Sequence, residues 1–524
     1  MQTAPSACAP AVLAFLLGFA MPSANAQGTN APKPEFTPKP LYGEVTPVCP
    51  CESLTNLVLA NTTIESATVD PADGSCRVTA IVTHPPAGDR VTIWIGLPVK
   101  DWNGRFRGTG GGGFLGGSAR SLARPIAAGY AAGATDTGHA GGSGKFALDA
   151  NGRLDWQRIR DNAYLGIHEM TVVGKAITKA FYGKAPGYCY FEGGSTGGRQ
   201  GLMEAQRYPE DYDGIVSACP AINWHKFLPA DLWPQVVMYA ASNLVSKVKL
   251  EAATAAAIAA CDAVDGVTDG VINDPYHCFY DPKALVGTQM RDGDRQVTFT
   301  SADAEVILKI WDGPRAPDGT SLWYGLTRGT DLVALAGSGG DPPVGKPFSI
   351  TLEWFRYFLT QDPNWDGTTL GVQGFEALWR QSVEQYGDII GTDNPDLTRF
   401  RDRGGKVIIY HGLADQLIPA QGSIEYYQRV QQQMGKKTAQ FARLFLVPGV
   451  DHGFRGTGPS PIGLTAAITQ WVEENRPPDK LIAELHNKEG KVVGTRPVFA
   501  YPRVTRYKGT GRTDDAANFE SRPR

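Results

Sequence analysis

Apolar residues in this chain fall into short unbroken runs separated by longer amphipathic stretches. That is the alternation expected of strands buried on both faces and of helices that cover them. Val91–Leu97, Tyr188–Phe191, Gly214–Ala218, Lys406–Tyr410 and Ala442–Val447 predict strands, and Arg105–Arg107 predicts another that leads into the glycine run Gly108–Gly113. Ile126–Ala132 reads as a helix end followed by a strand, and the three-to-four spacing from Tyr164 to Phe181 predicts a long helix. The rhythm stops between about Trp224 and Asn394, where Trp, Pro and irregular loops accumulate, and resumes at Phe400. The pattern predicts an α/β core of parallel strands built from residues 27–223 and 395–524. Residues 224–394 form an inserted lid over the strands' carboxyl ends, where open sheets bind ligands.

Residues 1–26 stand outside this pattern. Val12–Met21 is an apolar core of signal-peptide length, too short to span a bilayer, and Ala24-Asn25-Ala26 is an A-x-A cleavage site before Gln27. The segment ahead of that core lacks Lys and Arg, a departure from the usual leader. No later stretch is long and apolar enough to cross a membrane. The expectation is a soluble exported chain, secreted or periplasmic, with no membrane partner. A net charge of -3 with both signs interspersed leaves no basic footprint for nucleic acid. Eight cysteines are present, and once Cys8 leaves with the leader their number is odd, so at least one thiol stays free unless it pairs between chains. Cys51 with Cys76 and Cys261 with Cys278 are the expected bridges. Cys49, Cys189 and Cys219 are unassigned, the last two in apolar runs where buried thiols are the plain expectation.

The candidate chemistry centres on Gly193-Gly194-Ser195-Thr196-Gly197, a G-x-S-x-G pentapeptide between a strand and the amphipathic stretch Gly198–Arg207. Small residues around Ser195 suit a sharp strand-to-helix turn that exposes a nucleophilic hydroxyl, whereas a plain glycine turn is the competing reading. A serine needs a base, and the base an orienting acid. Asp415 lies in the turn after the Lys406–Tyr410 strand, and His452 in the loop after Ala442–Val447, so all three converge on one sheet edge. The competing readings are an Asx-turn aspartate and a loop histidine bonded to backbone. His139 precedes the nucleophile and reads as structural, His411 as a packing or hydrogen-bonding residue, and His84, His168, His225, His277 and His486 show no partner pattern. Asp451 adjoins His452, but consecutive side chains rarely face one another. The amide of Thr196 and one from Gly110–Gly113, taken as Gly112, are the expected oxyanion donors.

A second motif, Cys261-Asp262-Ala-Val-Asp265-Gly-Val267-Thr-Asp269-Gly-Val271, crowds three carboxylates that would repel unless a hard cation gathers them. Ca2+ suits the set, with carbonyls such as those of Val267 and Val271 completing a structural site, against the alternative of a solvated acidic turn.

Together with Trp102–Phe106, Asp136–His139, Gly194–Gln200, Phe400–Lys406, Ala442–Gly449, Tyr501-Pro502 and Asn518-Phe519, these motifs resemble the tannase and feruloyl esterase family from about Leu54 to Phe519. Members include the hydrolase of mono(2-hydroxyethyl) terephthalate. The resemblance implies an α/β-hydrolase core, a lid with one Ca2+, small esters of aromatic acids (feruloyl, galloyl or benzoyl) as substrates, and calcium ligands at Asp262, Asp265, Val267, Asp269 and Val271. The family's cysteines before the nucleophile and after the histidine are Gly194 and Gly453 here, and a second family bridge would fall at Phe499 and Ser521. Packing is expected to hold Ser195 and His452 instead. Phe348 aligns with an aromatic pocket residue, and Val344 with the lid arginine that binds a substrate carboxylate in the terephthalate enzyme. This favours neutral or phenolic esters over the alternative of terephthalate- or phthalate-type monoesters, for which Lys346 or Arg356 would have to supply the charge. A calcium-stabilised binding protein without turnover is the rival from another class.

Overall fold

The structure, a computed structural model, describes residues 38–524 except 454, 455 and 457. The expected signal peptide lies outside the described residues. Nine strands form one sheet: β1 (Thr62–Val69), β2 (Cys76–Val82), β3 (Val91–Leu97), β4 (Arg105–Thr109), β5 (Ala131–Thr135), β6 (Tyr188–Gly194), β7 (Gly214–Ala218), β8 (Lys406–Gly412) and β9 (Ala442–Val447). Their order is β1-β2-β3-β5-β4-β6-β7-β8-β9. Pairing is antiparallel from β1 to β5 and parallel from β5 to β9. With helices on its faces this is an α/β-hydrolase fold. β5 and β7 are buried along their whole length, as continuous small and apolar runs require of strands covered on both faces. β1 exposes most of its side chains and carries a register shift between Ile64 and Ser66, so its apolar signal is weak. The sequence reading names no strand for it or for β2.

The chain leaves the sheet after β7 and re-enters in β8, its parallel neighbour, with Lys406 opposite Gly214 and Tyr410 opposite Ala218. The intervening residues add no strand to this sheet. The three largest apolar clusters among the described residues hold the sheet and its coverings together. One, around Phe106, Met170, Ile177 and Leu202, packs the helices Gly166–Tyr182 and Thr196–Arg207 on one face. A second, around Tyr190, Val216, Ile408, Phe445 and Trp471, covers the other face. The third gathers Trp224, Trp354, Phe358 and Tyr386 between β7 and β8 and adds Phe114 and Phe146 from the sheet's loops. Rings of this size, buried and stacked (Phe114 on Phe358 at 5.5 Å), each cost about 3–5 kcal/mol to truncate to Ala.

Cys51–Cys76 and Cys261–Cys278 are bridged as expected, while Cys49, Cys189 and Cys219 are free, the latter two buried. C-terminal strands that the apolar pattern did not predict, Lys480–His486 with Val492–Phe499 and Arg503–Tyr507 with Phe519–Pro523, form small antiparallel pairs.

Candidate active site

Ser195 stands between β6 and the helix Thr196–Arg207 with φ 58° and ψ -121°, a conformation that a residue with a Cβ rarely adopts. Two contacts hold it there: its amide donates to Ala218 O and its carbonyl accepts from Ala221 N, both at 3.0 Å. The turn closes only because Gly193 lacks a side chain; a Cβ there would lie 2.6 Å from the carbonyl carbon of Gly197. The G-x-S-x-G spacing is thus a packing requirement of one helical turn lying back on its strand. It leaves the hydroxyl half-buried at the carboxyl end of the sheet.

That hydroxyl meets an imidazole and a carboxylate. His452 Nε2 lies 3.0 Å from Ser195 Oγ, and His452 Nδ1 lies 2.9 Å from Asp415 Oδ2. Asp415 is buried, and all its lone pairs have work: Oδ1 accepts the amides of Leu417 and Ile418 at 2.9 and 2.8 Å, and Oδ2 also accepts from His411 Nε2 at 3.1 Å. The Ile418 carbonyl, 3.0 Å from the same His411 nitrogen, can only accept, so Nε2 carries the proton and Nδ1 faces the Ser423 hydroxyl at 2.8 Å. His411, read from sequence as a packing or hydrogen-bonding residue, is the latter and fixes the acid. Burial alone would raise Asp415, yet the charges and hydrogen bonds of His452 and His411 hold it far below the usual carboxylate range. Burial likewise pulls His452 down, but the charge and hydrogen bond of Asp415, with Cys219 beside it, together outweigh burial and leave the imidazole well above its ordinary value.

No disulfide spans Gly194 and Gly453, and the loop that carries His452 is tied down by other means. Leu413 N donates to Val447 O at 2.8 Å, Ala414 N to Val450 O at 3.1 Å, and the His452 amide to Gln416 Oε1 at 2.9 Å. The Cys219 thiol, one strand across from the elbow, lies within 4.8 Å of the Asp415 and His452 donor atoms, and burial keeps it protonated.

The glycine run departs from expectation. Gly112 N donates to Leu115 O at 3.0 Å, Gly111 N to Gln200 Oε1 at 3.0 Å and Gly110 N to Glu192 O at 3.4 Å, so the predicted donor Gly112 is already engaged. Gly113 differs: it adopts φ 57°, and its carbonyl accepts the Thr196 hydroxyl at 2.6 Å, which sets it directly beside the elbow. Thr196 opens its helix, so its amide has no acceptor within that helix. Gln200 shapes the run from both sides, since its Nε2 also donates to Gly116 O at 3.0 Å. Arg199, wholly buried, donates to the carbonyls of Ala163 and Asn162 at 2.7 and 3.2 Å. These two residues of the Gly194–Gln200 motif are the positioning groups that sequence reasoning quoted without assigning a role.

The remaining candidates lie elsewhere. His139 is stacked on Phe146 at 4.0 Å, and burial pushes it down to about 4. Asp136 of the same motif shapes its turn by accepting the amides of Thr92 and Gly138 at 2.8 Å. Phe348 is half-buried against the aromatic cluster, while Ile350, unmarked in the sequence, reaches the glycine run: a Cβ on Gly113 would lie 2.9 Å from Ile350 Cδ1. Val344 is exposed, and Arg356 Nε is committed to Trp365 O at 2.6 Å. In the acidic loop, Asp262 accepts the amides of Asp269 and Gly270 at 3.1 and 2.9 Å, and Asp265 accepts that of Val267 at 3.0 Å. Among the described Lys and Arg residues, only Arg496, 2.6 Å from Asp269, meets the charge of these three carboxylates. They are spaced more widely than the tight donor clusters elsewhere in the chain, so a cation there would draw the loop inward.

The sequence model of the family described as Tannase and feruloyl esterase matches residues 76–522. A probable feruloyl esterase of Arthroderma benhamiae is 40% identical over 458 residues, 85% of each chain. The crystal structure of feruloyl esterase B from Aspergillus oryzae superposes with a TM-score of 0.78 at 27% identity, covering 90% of this chain and 99% of its own. The tannin acyl hydrolase of Aspergillus niger superposes with a TM-score of 0.80 at 25% identity, covering 89% and 92%.

Proposed function

This chain belongs to the tannase and feruloyl esterase family and is a carboxylic ester hydrolase, and from that premise we propose that it is an exported enzyme that cleaves esters of aromatic acids through Ser195, His452 and Asp415. The observation that carries the reading is the unbroken line from hydroxyl to imidazole to carboxylate, at 3.0 and 2.9 Å. His452 Nε2 takes the Ser195 proton as Oγ attacks the ester carbonyl, then returns it to the departing alcohol; water repeats the sequence to release the acid. Asp415 keeps Nδ1 protonated and Nε2 free to accept. The amides of Thr196 and Gly113 receive the charge that develops on the carbonyl oxygen.

Ser195→Ala is expected to lower turnover of methyl ferulate by about 10⁶-fold with the fold intact. Retained turnover would remove Ser195 from the mechanism, whereas failure of a fluorophosphonate to label Ser195 in the wild type would return the chain to a binding role. The aromatic acyl class is supported by what the relatives are named for and by the ring cluster of Phe114, Phe358 and Trp224 that adjoins Gly113. Because Val344 brings no charge and Arg356 Nε is committed to Trp365 O, which leaves Lys346 as the cation to pair with a substrate carboxylate, neutral esters such as methyl ferulate or methyl gallate should exceed a terephthalate monoester in kcat/KM; the opposite order would select the carboxylated class.

Export rests on the A-x-A site after an apolar core and on two disulfides, which persist outside reducing compartments. In this reading residues 224–394 form the lid. One Ca2+ held by Asp262, Asp265 and Asp269 with the carbonyls of Val267 and Val271 fits the all-oxygen donor set and its excess negative charge, and it supplies a crosslink rather than chemistry. Stripping it with EGTA should lower the unfolding midpoint, restored by CaCl2 and insensitive to EGTA in Asp262→Asn; an unchanged midpoint in the wild type would remove the ion.

A further inference from the structure

Outside the active site, one histidine sits among three carboxylates with no lysine or arginine to balance them. His84 lies in the loop between β2 and β3, Asp89 closes that loop, and Asp161 and Glu169 come from the segment that enters the helix Gly166–Tyr182. His84 Nδ1 is 2.6 Å from Asp89 Oδ2 and 3.8 Å from Asp161 Oδ1, and His84 Nε2 is 2.5 Å from Glu169 Oε1. Asp89 is fixed independently, since its Oδ1 accepts the His84 amide at 3.0 Å. Among the described residues no Lys or Arg nitrogen approaches these carboxylates within 4.0 Å.

Protonated, His84 would neutralise only one of the three charges. Asp161 is the sharpest sign of a missing partner. Its side chain is fully buried, Oδ1 is turned toward His84 with the Gln157 amide as donor at 2.8 Å, and Oδ2 has no hydrogen-bond partner. Glu169 Oε2 is likewise buried and unpartnered. An ionised carboxylate left in this state is costly, so the cluster must hold either protons or a cation.

We propose that His84 Nδ1, Asp89 and Asp161 bind one divalent transition-metal cation of the zinc class, with Glu169 orienting the imidazole from its other nitrogen. The donor atoms of the three ligands already lie within 4.8 Å of one another, so an ion could enter as the Nδ1–Asp89 contact opens and Asp161 closes in. One imidazole with two carboxylates suits zinc or manganese rather than calcium. The Glu169 contact is the arrangement that metal-binding histidines use: a carboxylate on the remote nitrogen fixes the tautomer and presents the lone pair of the other to the metal. Binding releases the Nδ1 proton and any proton on Asp161 to solvent. The ion would pin the β2–β3 loop to the helix entrance, beside Gly138, whose Cβ position would lie 3.1 Å from Asp161 Oδ2.

The test uses the whole chain, stripped by chelation, returned to saturating CaCl2 and titrated calorimetrically with ZnCl2. Wild type is expected to take up an equivalent of Zn2+ that His84→Gln and Asp161→Asn each lose while ester hydrolysis stays at the wild-type rate. X-ray absorption on Zn-loaded wild type, which does not depend on any variant folding, should give an oxygen and nitrogen shell with one imidazole. No uptake, equal stoichiometry in both variants, or sulfur in the shell, which would place the ion at Cys219, would each overturn the assignment.

Discussion

His452 and His84 both lean on a buried aspartate, at 2.9 and 2.6 Å, and they differ at the opposite ring nitrogen. His452 turns Nε2 to a hydroxyl at 3.0 Å, and His84 turns Nε2 to a second carboxylate at 2.5 Å. A hydroxyl has a proton to give and a carboxylate has none, so the first imidazole can act as a base while the second is clamped. The lesson is that a raised imidazole does not by itself mark a catalytic group; both of these are raised, by neighbouring carboxylates acting against burial. His139 supplies the third case. Buried against Phe146 with no carboxylate beside it, it falls to about 4 and stays neutral.

The strongest way to break this contrast is to alter the aspartate without changing its shape. In Asp415→Asn the carbonyl oxygen keeps the Oδ1 place, where the Leu417 and Ile418 amides demand an acceptor, so the new NH2 faces His452 Nδ1. The imidazole is then forced to carry its proton on Nε2, toward Ser195. A loss of about 10⁴ in kcat is expected, with KM for methyl ferulate little changed. A loss below tenfold would mean that Asp415 does not set the tautomer.

A smaller effect tests the oxyanion assignment by pairing two neighbouring glycines. Gly113 has φ 57° and Ile350 at 2.9 Å from any added Cβ, whereas nothing lies within 4 Å of a Cβ on Gly112. Gly113→Ala must move the amide beside Thr196 and is expected to lower kcat by about 10²–10³. Gly112→Ala keeps its bond to Leu115 and should retain activity. The reverse result would restore Gly112 as the donor.

Much of the fold was legible because its central strands, β3 to β9, are short apolar or small-residue runs that only a doubly covered sheet accommodates. β1 was not, since an edge strand with few buried side chains leaves no strong period. At the active edge the hydroxyl, acid and imidazole could be read from their places after successive strands. The orientation of the Gly111 amide could not, because it is set by Gln200, 89 positions away. The His84 cluster was invisible for the same reason: His84 and Glu169 stand 85 positions apart and form no spacing pattern. Chemistry gathered from loops across a sheet leaves no local signature, whereas chemistry built into one tight turn does.

The smallest effect is also the one that separates the two histidines most directly. His452 must be neutral to accept the Ser195 proton, so kcat/KM should fall tenfold for each unit of pH below its pKa, and against burial Asp415, with Cys219 beside it, holds that pKa well above 6.5. The acid limb of the wild-type profile is therefore expected to have its midpoint above 6.5. In Asp415→Asn the largest opposing charge is gone and burial remains, so the limb of the residual activity should move to lower pH, in the direction burial drives His139. His84→Gln removes the other raised imidazole and should leave the limb where it was. A wild-type midpoint below 6.5 would show that burial outweighs Asp415 at the active edge. A limb that shifts with His84 instead would mean that the clamped imidazole, not the one facing a hydroxyl, governs turnover.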